Sequence, residues 1–463
     1  MNGNWVEKPL GEVIKLSSGS TPSKSNISFW GKHYPWISAK DLKTFYISDS
    51  EDKLSHEGWN STVAKTKPGT TLILTRGMTL VKDVPVCITK TEASFNQDIK
   101  AITPKNSTIE PEFIPYLLLG NKQKLHSLVD LAGHGTGRIQ TTSLLNLPIK
   151  IPPKSQQKWI ANFFKEIDDK IELNRRINQT LEEIAQAIFK SWFVDFEPVK
   201  AKQQAREAGK SADEIERVAM ATISGSTIEQ LYQLPEEKYQ KLAETAALFP
   251  DEFENSELGL IPKGWNVSTI GEEVETVGGG TPSTKNPAFW EEGTINWVTP
   301  KDLSGLSDKV LLSTSRKITQ EGLAKISSGL LPIDTVLMSS RAPVGYLALT
   351  KIETAINQGF IAMKCYGRLP PEYVLQWTSW NINSIKNIAS GSTFAEISKK
   401  TFRPFPILIP NVELLTYFQN YTRLLYEQIK ENISQSDSLA QMRDILLPKL
   451  VTGDIDLGDL ING

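Results

Sequence analysis

Three pairs of side chains in this sequence are suited to polar recognition, and their members stand at nearly constant separation: Lys40 with Lys301, Arg76 with Arg341, and Gln97 with Gln358. Arg and Gln can each make two parallel hydrogen bonds to a purine edge, guanine and adenine respectively, whereas Lys mostly neutralises phosphate. Residues able to carry out a reaction are harder to find. The sequence holds no Walker A loop, no GxSxG elbow and no HExxH pair. Gly278-Gly279-Gly280-Thr281-Pro282-Ser283 is glycine-rich, but its counterpart Ser18-Gly19-Ser20-Thr21-Pro22-Ser23 has one glycine where this has three. A strict phosphate cradle would not vary so freely. Two cysteines, Cys87 and Cys365, and four scattered histidines make no zinc pattern. No duplicated catalytic site is expected. Asp41 and Asp302 are expected to brace turns, and the paired tryptophans to serve as core rather than as stacking platforms.

The elements that must position these side chains occur twice. Trp5, Leu10, Gly11, Glu12, Thr21, Pro22, Ser23, Asn26, Phe29 and Trp30 match Trp265, Ile270, Gly271, Glu272, Thr281, Pro282, Ser283, Asn286, Phe289 and Trp290, and the interval stays between 258 and 265 positions to the end of the repeat. Solenoid units run to roughly 20–50 residues, so this period means two similar globular domains. Short β-branched runs such as Thr71–Leu74 and Thr335–Met338 lie between turn signals and read as strands. One helix per repeat is expected after a proline, over Pro111–Leu128 and Pro370–Asn387. Each repeat reads as α+β, over 1–152 and 262–410.

The charge of −2 is unevenly spread. Residues 1–152 carry 18 Lys/Arg against 13 Asp/Glu and residues 262–410 carry 15 against 12, while 198–261 sums to −5 and 411–463 to −4. Mildly basic repeats on an acidic connecting scaffold suit two domains facing a polyanion, though ordinary charge scatter gives the same pattern. No apolar run reaches the roughly 18–20 residues of a membrane helix, and the start lacks a signal peptide's apolar stretch. A reduced, cytoplasmic setting is expected.

Helices of another kind follow each repeat. Ile160, Phe164, Ile167, Ile171, Leu181, Ala185, Ile188 and Trp192 recur at alternating three- and four-residue spacing, as do Phe418, Leu425, Ile429, Leu439, Leu446 and Leu450. Thr422, Ser436 and Arg443 interrupt the second seam. Two helices of about 35–40 residues, roughly 50–60 Å long, are implied, over 153–197 and within 411–463. Neither stripe is stable alone in water, so they should pack together, antiparallel, with the domains related by a pseudo-two-fold. Asn174 and Asn432 fall on the seam near each helix centre: either a buried pair fixing register, or two partly exposed residues at frayed points. Residues 198–261 have no counterpart and read as an acidic helical linker. Capping boxes are expected at Ser211–Glu214 and Ser226–Glu229, and a loop at Gly259–Pro262.

Taken together, the Gly19–Ser23 and Gly279–Ser283 loops, the W-x-x-x-K-D-L segments Trp36–Leu42 and Trp297–Leu303, and the Asn96-Gln97 and Asn357-Gln358 pairs resemble target-recognition domains. The stretches Ile188–Phe196 and Leu446–Ile455 resemble the spacer helices of the specificity subunits of type I restriction-modification enzymes. That resemblance covers nearly the whole chain. It implies two α+β target-recognition domains separated by an antiparallel coiled coil, and a subunit with no catalysis of its own. Double-stranded DNA, two methyltransferase subunits and two restriction and translocation subunits would be its partners. S-adenosylmethionine, ATP and Mg2+ would be bound by those partners and not by this chain. Placed by loop position, the candidate DNA contacts are Thr21, Ser23, Lys24, Lys40, Arg76, Gln97 and Arg138 in the first repeat, and Thr281, Ser283, Lys301, Arg341, Gln358 and Thr393 in the second. A two-domain scaffold binding protein or glycan is the alternative. A fused methyltransferase or nuclease is disfavoured, because no cofactor loop and no N-P-P-[FY] motif is present.

Overall fold

The computed structural model describes residues 5–132, 135–389, 395–455 and 457. The chain forms two compact units, one from residues 1–173 and 435–463, the other from residues 174–434. Two long helices, Lys154–Phe193 of 40 residues and Val412–Thr452 of 41, each contribute one half to each unit.

The first unit is built on a five-stranded sheet in the order Ile14–Ser18, Ile99–Pro104, Thr71–Leu74, Val86–Thr89, Tyr46–Ile47. Its first four strands pair antiparallel and the last joins in parallel. Thr71–Leu74 is buried at every position, as an uninterrupted apolar run between two neighbours should be. The second unit repeats this sheet strand for strand, in the order Glu275–Val277, Phe360–Lys364, Val336–Ser339, Leu347–Thr350, Val310–Leu311, again with only the last pair parallel. In each repeat the opening and closing strands pair, Val6–Pro9 with Pro148–Ile151 and Asn266–Thr269 with Pro406–Ile409. The repeat seen in sequence is thus a repeat of topology.

Three local expectations need correction. The single helix expected in each repeat is two: Ile114–Gly120 then Lys122–Ser127, and Pro371–Trp380 then Ile382–Asn387. The break falls on Asn121 and Asn381, whose side-chain amides donate to Leu117 O and Trp377 O and so compete with the helical ladder. Across 197–247 four helices form, and the last three bury a small core of Ala219, Met220, Leu231 and Ala246. Ser211 and Glu214 make the expected capping box, but the second box lies one residue later, at Thr227 and Gln230. Gly259–Pro262 is not a loop; it pairs antiparallel with Phe253–Ser256 as a hairpin.

The halves of the long helices run antiparallel within each unit. In the second unit Asn174 meets Asn432, while Phe189 and Phe193 reach Phe418 at ring-centroid distances of 6.3 and 5.1 Å. In the first, Ile160, Phe164 and Ile167 share one core with Leu447, Leu450 and Val451. The seam is less apolar than its spacing suggests. Asn174, Asn178 and Glu182 are buried, whereas Leu181 and Ile188 are half-buried. The Asn174 amide donates to Asn432 O at 3.3 Å, and the Asn432 amide to Asn178 Oδ1 at 2.8 Å. Asn178 then reaches Asp308 at 3.2 Å, and Glu182 pairs with Lys309 at 3.3 Å. The helix packs on its own unit's globular part as well as on its partner, which widens the buried stripe beyond two positions per heptad. Of the expected interruptions, Thr422 is fully buried and returns its hydroxyl to Phe418 O at 2.8 Å.

Candidate nucleic-acid interface

The site in each unit is a loop pinned from beneath. In the first, Gly19 lies so close to Phe95 O that a Cβ there would sit 2.0 Å from it; in the second, Gly279 bears the same relation to Ile356 O at 1.9 Å. The next residue, Ser20 or Gly280, donates its backbone N–H to that same carbonyl at 2.9 or 3.0 Å. Trp36 and Trp297, both 3 % exposed, donate their indole N–H to Ser20 O and Gly280 O at 3.1 Å each. Trp30 and Trp290 hold Ser23 O and Ser283 O in the same way, and each stands edge-on to its buried partner. Two tryptophans therefore clamp each Thr-Pro-Ser turn. Asp41 and Asp302 brace the neighbouring turn: each caps the residue three before it and accepts a second backbone N–H, from Glu51 and Ser315, at 2.9 Å.

On this scaffold the recurring polar groups come together. Thr21 Oγ1 donates to Gln97 Oε1 at 2.6 Å, and Thr281 Oγ1 to Gln358 Oε1 at 2.5 Å. Each contact engages the carbonyl oxygen of an exposed Gln amide and leaves its NH2 donors out of the bond. Ser23, Lys24 and Ser283 are exposed on the same turns, and Ser23 shares a hydrogen bond with Ser25 at 2.8 Å. Lys40 does not project freely, because it is paired with Asp52 at 3.0 Å and Glu51 at 3.2 Å. The hydrogen bond to Asp52 leads in holding its ammonium above the usual lysine range. Lys301, exposed in the second unit, has no ion pair among the described residues. Thr393 lies outside the described residues.

The arginines stand in matched frames. Thr75 donates its N–H to Asp98 O at 2.8 Å and accepts from Ile139 N at 2.9 Å. Ser340 repeats this with Gly359 O at 2.8 Å and Ile397 N at 2.9 Å. Each frame places one arginine opposite a returning segment, the strand Thr136–Ile139 in the first unit and a single β-bridge in the second. Arg76 faces Arg138 across an antiparallel pair, with Asp130 next in the row, whereas Arg341 faces Glu396. Like charges directly opposite on a sheet repel, so the Arg76–Arg138 row suits a polyanion. Lys100 lies beside it, donating to Ser18 Oγ at 2.8 Å and Gln97 O at 3.1 Å. Burial, and to a lesser degree the charge of Arg138, lower its pKa.

Comparison with known proteins now decides the family. The model of the type I restriction modification DNA specificity domain matches residues 2–183 and 262–435, one stretch per repeat. The chain belongs to this family. It is 32 % identical over 368 residues to the HindI specificity subunit of Haemophilus influenzae, covering 76 % of this chain and 79 % of that protein. It is 24 % identical to the MjaIX specificity subunit of Methanocaldococcus jannaschii, covering 99 % and 95 %. A crystal structure of a type I S subunit from M. genitalium superposes with a TM-score of 0.51 at 15 % identity, covering 97 % of this chain and 96 % of that one, and supports the fold. As a member of the family the chain is a DNA specificity subunit that acts with the other subunits of a restriction-modification complex, and it is non-catalytic. Among the described residues no group of three His, Cys, Asp or Glu side chains is placed to hold a metal, and no helix is long and apolar enough to cross a membrane.

Three residues beside this candidate interface lie outside the sequence expectations. Lys100 and Glu396 have no same-charge partner at the matching position, so recurrence could not flag them. Arg316 lies 3.6 Å over the ring of Trp290 and is placed there by strand pairing opposite Trp297. Only that register reveals it.

Proposed function

We propose that this subunit reads a bipartite duplex sequence, each repeat taking one block in the major groove, while the paired helices set the gap. The carrying observation is the duplicated frame, in which the Thr of the pinned turn orients a Gln and an arginine stands opposite a returning segment in both units. On this reading Arg76, Arg138 and Arg341 contact guanine or phosphate, and Gln97 and Gln358 contact adenine. Thr21, Ser23, Lys24, Lys40, Thr281, Ser283, Lys301 and Thr393 support them at the backbone or base edges. Residues 1–152 and 262–410 act as the recognition domains, 153–197 and 411–463 carry the spacer, and 198–261 link them. Asn174 and Asn432, with Asn178, keep the spacer helices in register.

The complex would contain two methyltransferase and two restriction and translocation subunits in the cytoplasm. S-adenosylmethionine, ATP and Mg2+ would be held by those partners. Adenine methylation requires the base to be flipped out of the stack at a cost of about a few kcal/mol; this chain would hold the duplex in position for that step. The test is methylome sequencing of cells carrying the system with and without this gene, and with residues 1–152 exchanged. A split motif that loses only one block on exchange supports the reading. A single uninterrupted motif, or binding to protein or glycan without DNA, overturns it. Arg76→Ala and Arg341→Ala should each weaken specific binding by about 1–3 kcal/mol if they read guanine.

A further inference from the structure

We infer that Glu396, together with the Arg138 that stands in its place in the first repeat, makes the two half-sites chemically different: Glu396 reads the exocyclic amine of a cytosine, where Arg138 reads an acceptor edge. The inference rests on the bipartite reading above. It starts from a comparison that the molecule makes with itself. The backbone just before the two arginines makes the same contacts in both units, since Thr75 and Ser340 make equivalent hydrogen bonds to the Asn-Gln loop and to the returning segment at equal lengths; after the arginines the chains differ, Gly77 leading into the turn Met78–Val81 and Ala342 into Pro343. The contact that orients the Gln is also the same, at 2.6 and 2.5 Å. With these contacts shared, the residue opposite the arginine changes from a cation to an anion.

A carboxylate beside a phosphate-rich ligand is unfavourable unless it accepts a hydrogen bond there, and the donors of the major groove are the amines of cytosine and adenine. Glu396 has room to do so. Its ion pair with Arg341 is long, at 3.8 Å, and both side chains remain accessible, 51 % for Glu396 and 36 % for Arg341. Such an exposed pair holds its members weakly, so each can turn to a ligand. Side chains directly opposite on a sheet have Cβ atoms about 4.5–5.5 Å apart, between one and two base steps of roughly 3.4 Å each, a span that long side chains can bridge. Arg341 on guanine and Glu396 on cytosine would then read one C·G pair or two adjacent pairs. Adenine's amine is flanked by the N7 acceptor, which a carboxylate repels; cytosine presents its amine alone on that edge. Arg76 and Arg138 offer donors only and can take guanine or phosphate at the matching place.

The test uses the whole complex, expressed with its partner subunits. Methylomes are compared for the natural chain, E396Q, E396R and R138E, with the 1–152 exchange identifying which block belongs to which repeat. E396Q is nearly isosteric and should still assemble. It should relax one C·G position of the second block, with discrimination there falling roughly 5- to 150-fold, and should leave the first block and the gap unchanged. R138E should alter the first block alone. If E396Q and E396R both keep the second block intact, the assignment is overturned while the bipartite reading stands. If E396Q instead strengthens binding to all duplexes and steepens the salt slope by about one phosphate contact, Glu396 merely restrains Arg341, and the assignment is again overturned. A natural chain that produces no split motif would sink the underlying reading instead.

Discussion

Replacing Arg443 by Met removes a charge that the first unit cannot do without. Arg443 Nη1 lies 2.5 Å from Asp168 Oδ1, joining the two antiparallel helix halves of that unit, and the Asp168 side chain is only 2 % exposed. Asp168 Oδ2 has no hydrogen-bond partner among the described residues, so the guanidinium is the main group compensating a buried carboxylate. Burial pushes the Asp168 pKa up, and Arg443 opposes that shift. Methionine keeps most of the arginine stem's packing, which isolates the charge. Breaking a buried pair from one side costs about 3–5 kcal/mol. Because Arg443 is 18 % exposed and water can reach the gap, the lower end, about 3 kcal/mol, is expected. The direction with pH follows from the raised pKa. A carboxyl that is harder to ionise when folded contributes stability below its unfolded pKa, near 3.9, and that contribution is lost as pH rises through the folded value. Without Arg443 the folded pKa climbs further, so the R443M deficit should be largest near pH 7 and should shrink towards pH 4.5. Urea unfolding followed by circular dichroism, with amide exchange read over residues 160–171, measures both. D168N/R443M should recover most of the loss. A deficit equal at the two pH values, or a double variant as unstable as R443M, would refute the argument.

Three further outcomes follow from the same kind of reasoning. Gly279→Ala puts a methyl group 1.9 Å from Ile356 O, so the turn must move; overpacking of this kind costs about 1–3 kcal/mol, and footprinting should show the second half-site lost and the first retained. Lys351, with its side chain 4 % exposed, is held between Asp334 at 2.7 Å and Glu427 at 2.9 Å; Lys351→Met leaves two partly exposed carboxylates without it and should lower the second unit's stability by about 1–2 kcal/mol, less so at acid pH, as thermal unfolding at two pH values would show. Burial pushes Glu372 up to about 6, so its contribution to stability fades as pH rises from near 4.5 through 6; Glu372→Gln should remove that dependence and stabilise the unit by about 2 kcal/mol at pH 7, and unchanged pH curves would count against it.

Much of the architecture was already legible as recurrence. Thr21 and Thr281, Trp36 and Trp297, and Gln97 and Gln358 stand at matching intervals because each pair makes the same contact in its own unit. A duplicated contact needs both of its members duplicated. The long helices were legible for a related reason, since a 3.6-residue period is a local property of the chain. What recurrence and period cannot carry is the identity of a partner from elsewhere. Asn178 and Glu182 carry no signal of burial in the sequence, and only Asp308 and Lys309 brought against them account for it. Arg443 reads as an interruption until Asp168 faces it. Arg138 and Glu396 lie at matching places yet share no chemistry, and only cross-strand register sets each opposite an arginine. Sequence determined that there are two like units and two long helices, because those follow from repeated and local signals. Tertiary structure alone decided which buried polar groups are satisfied and which charges confront each other, because pairing free energy depends on distance in space and not along the chain.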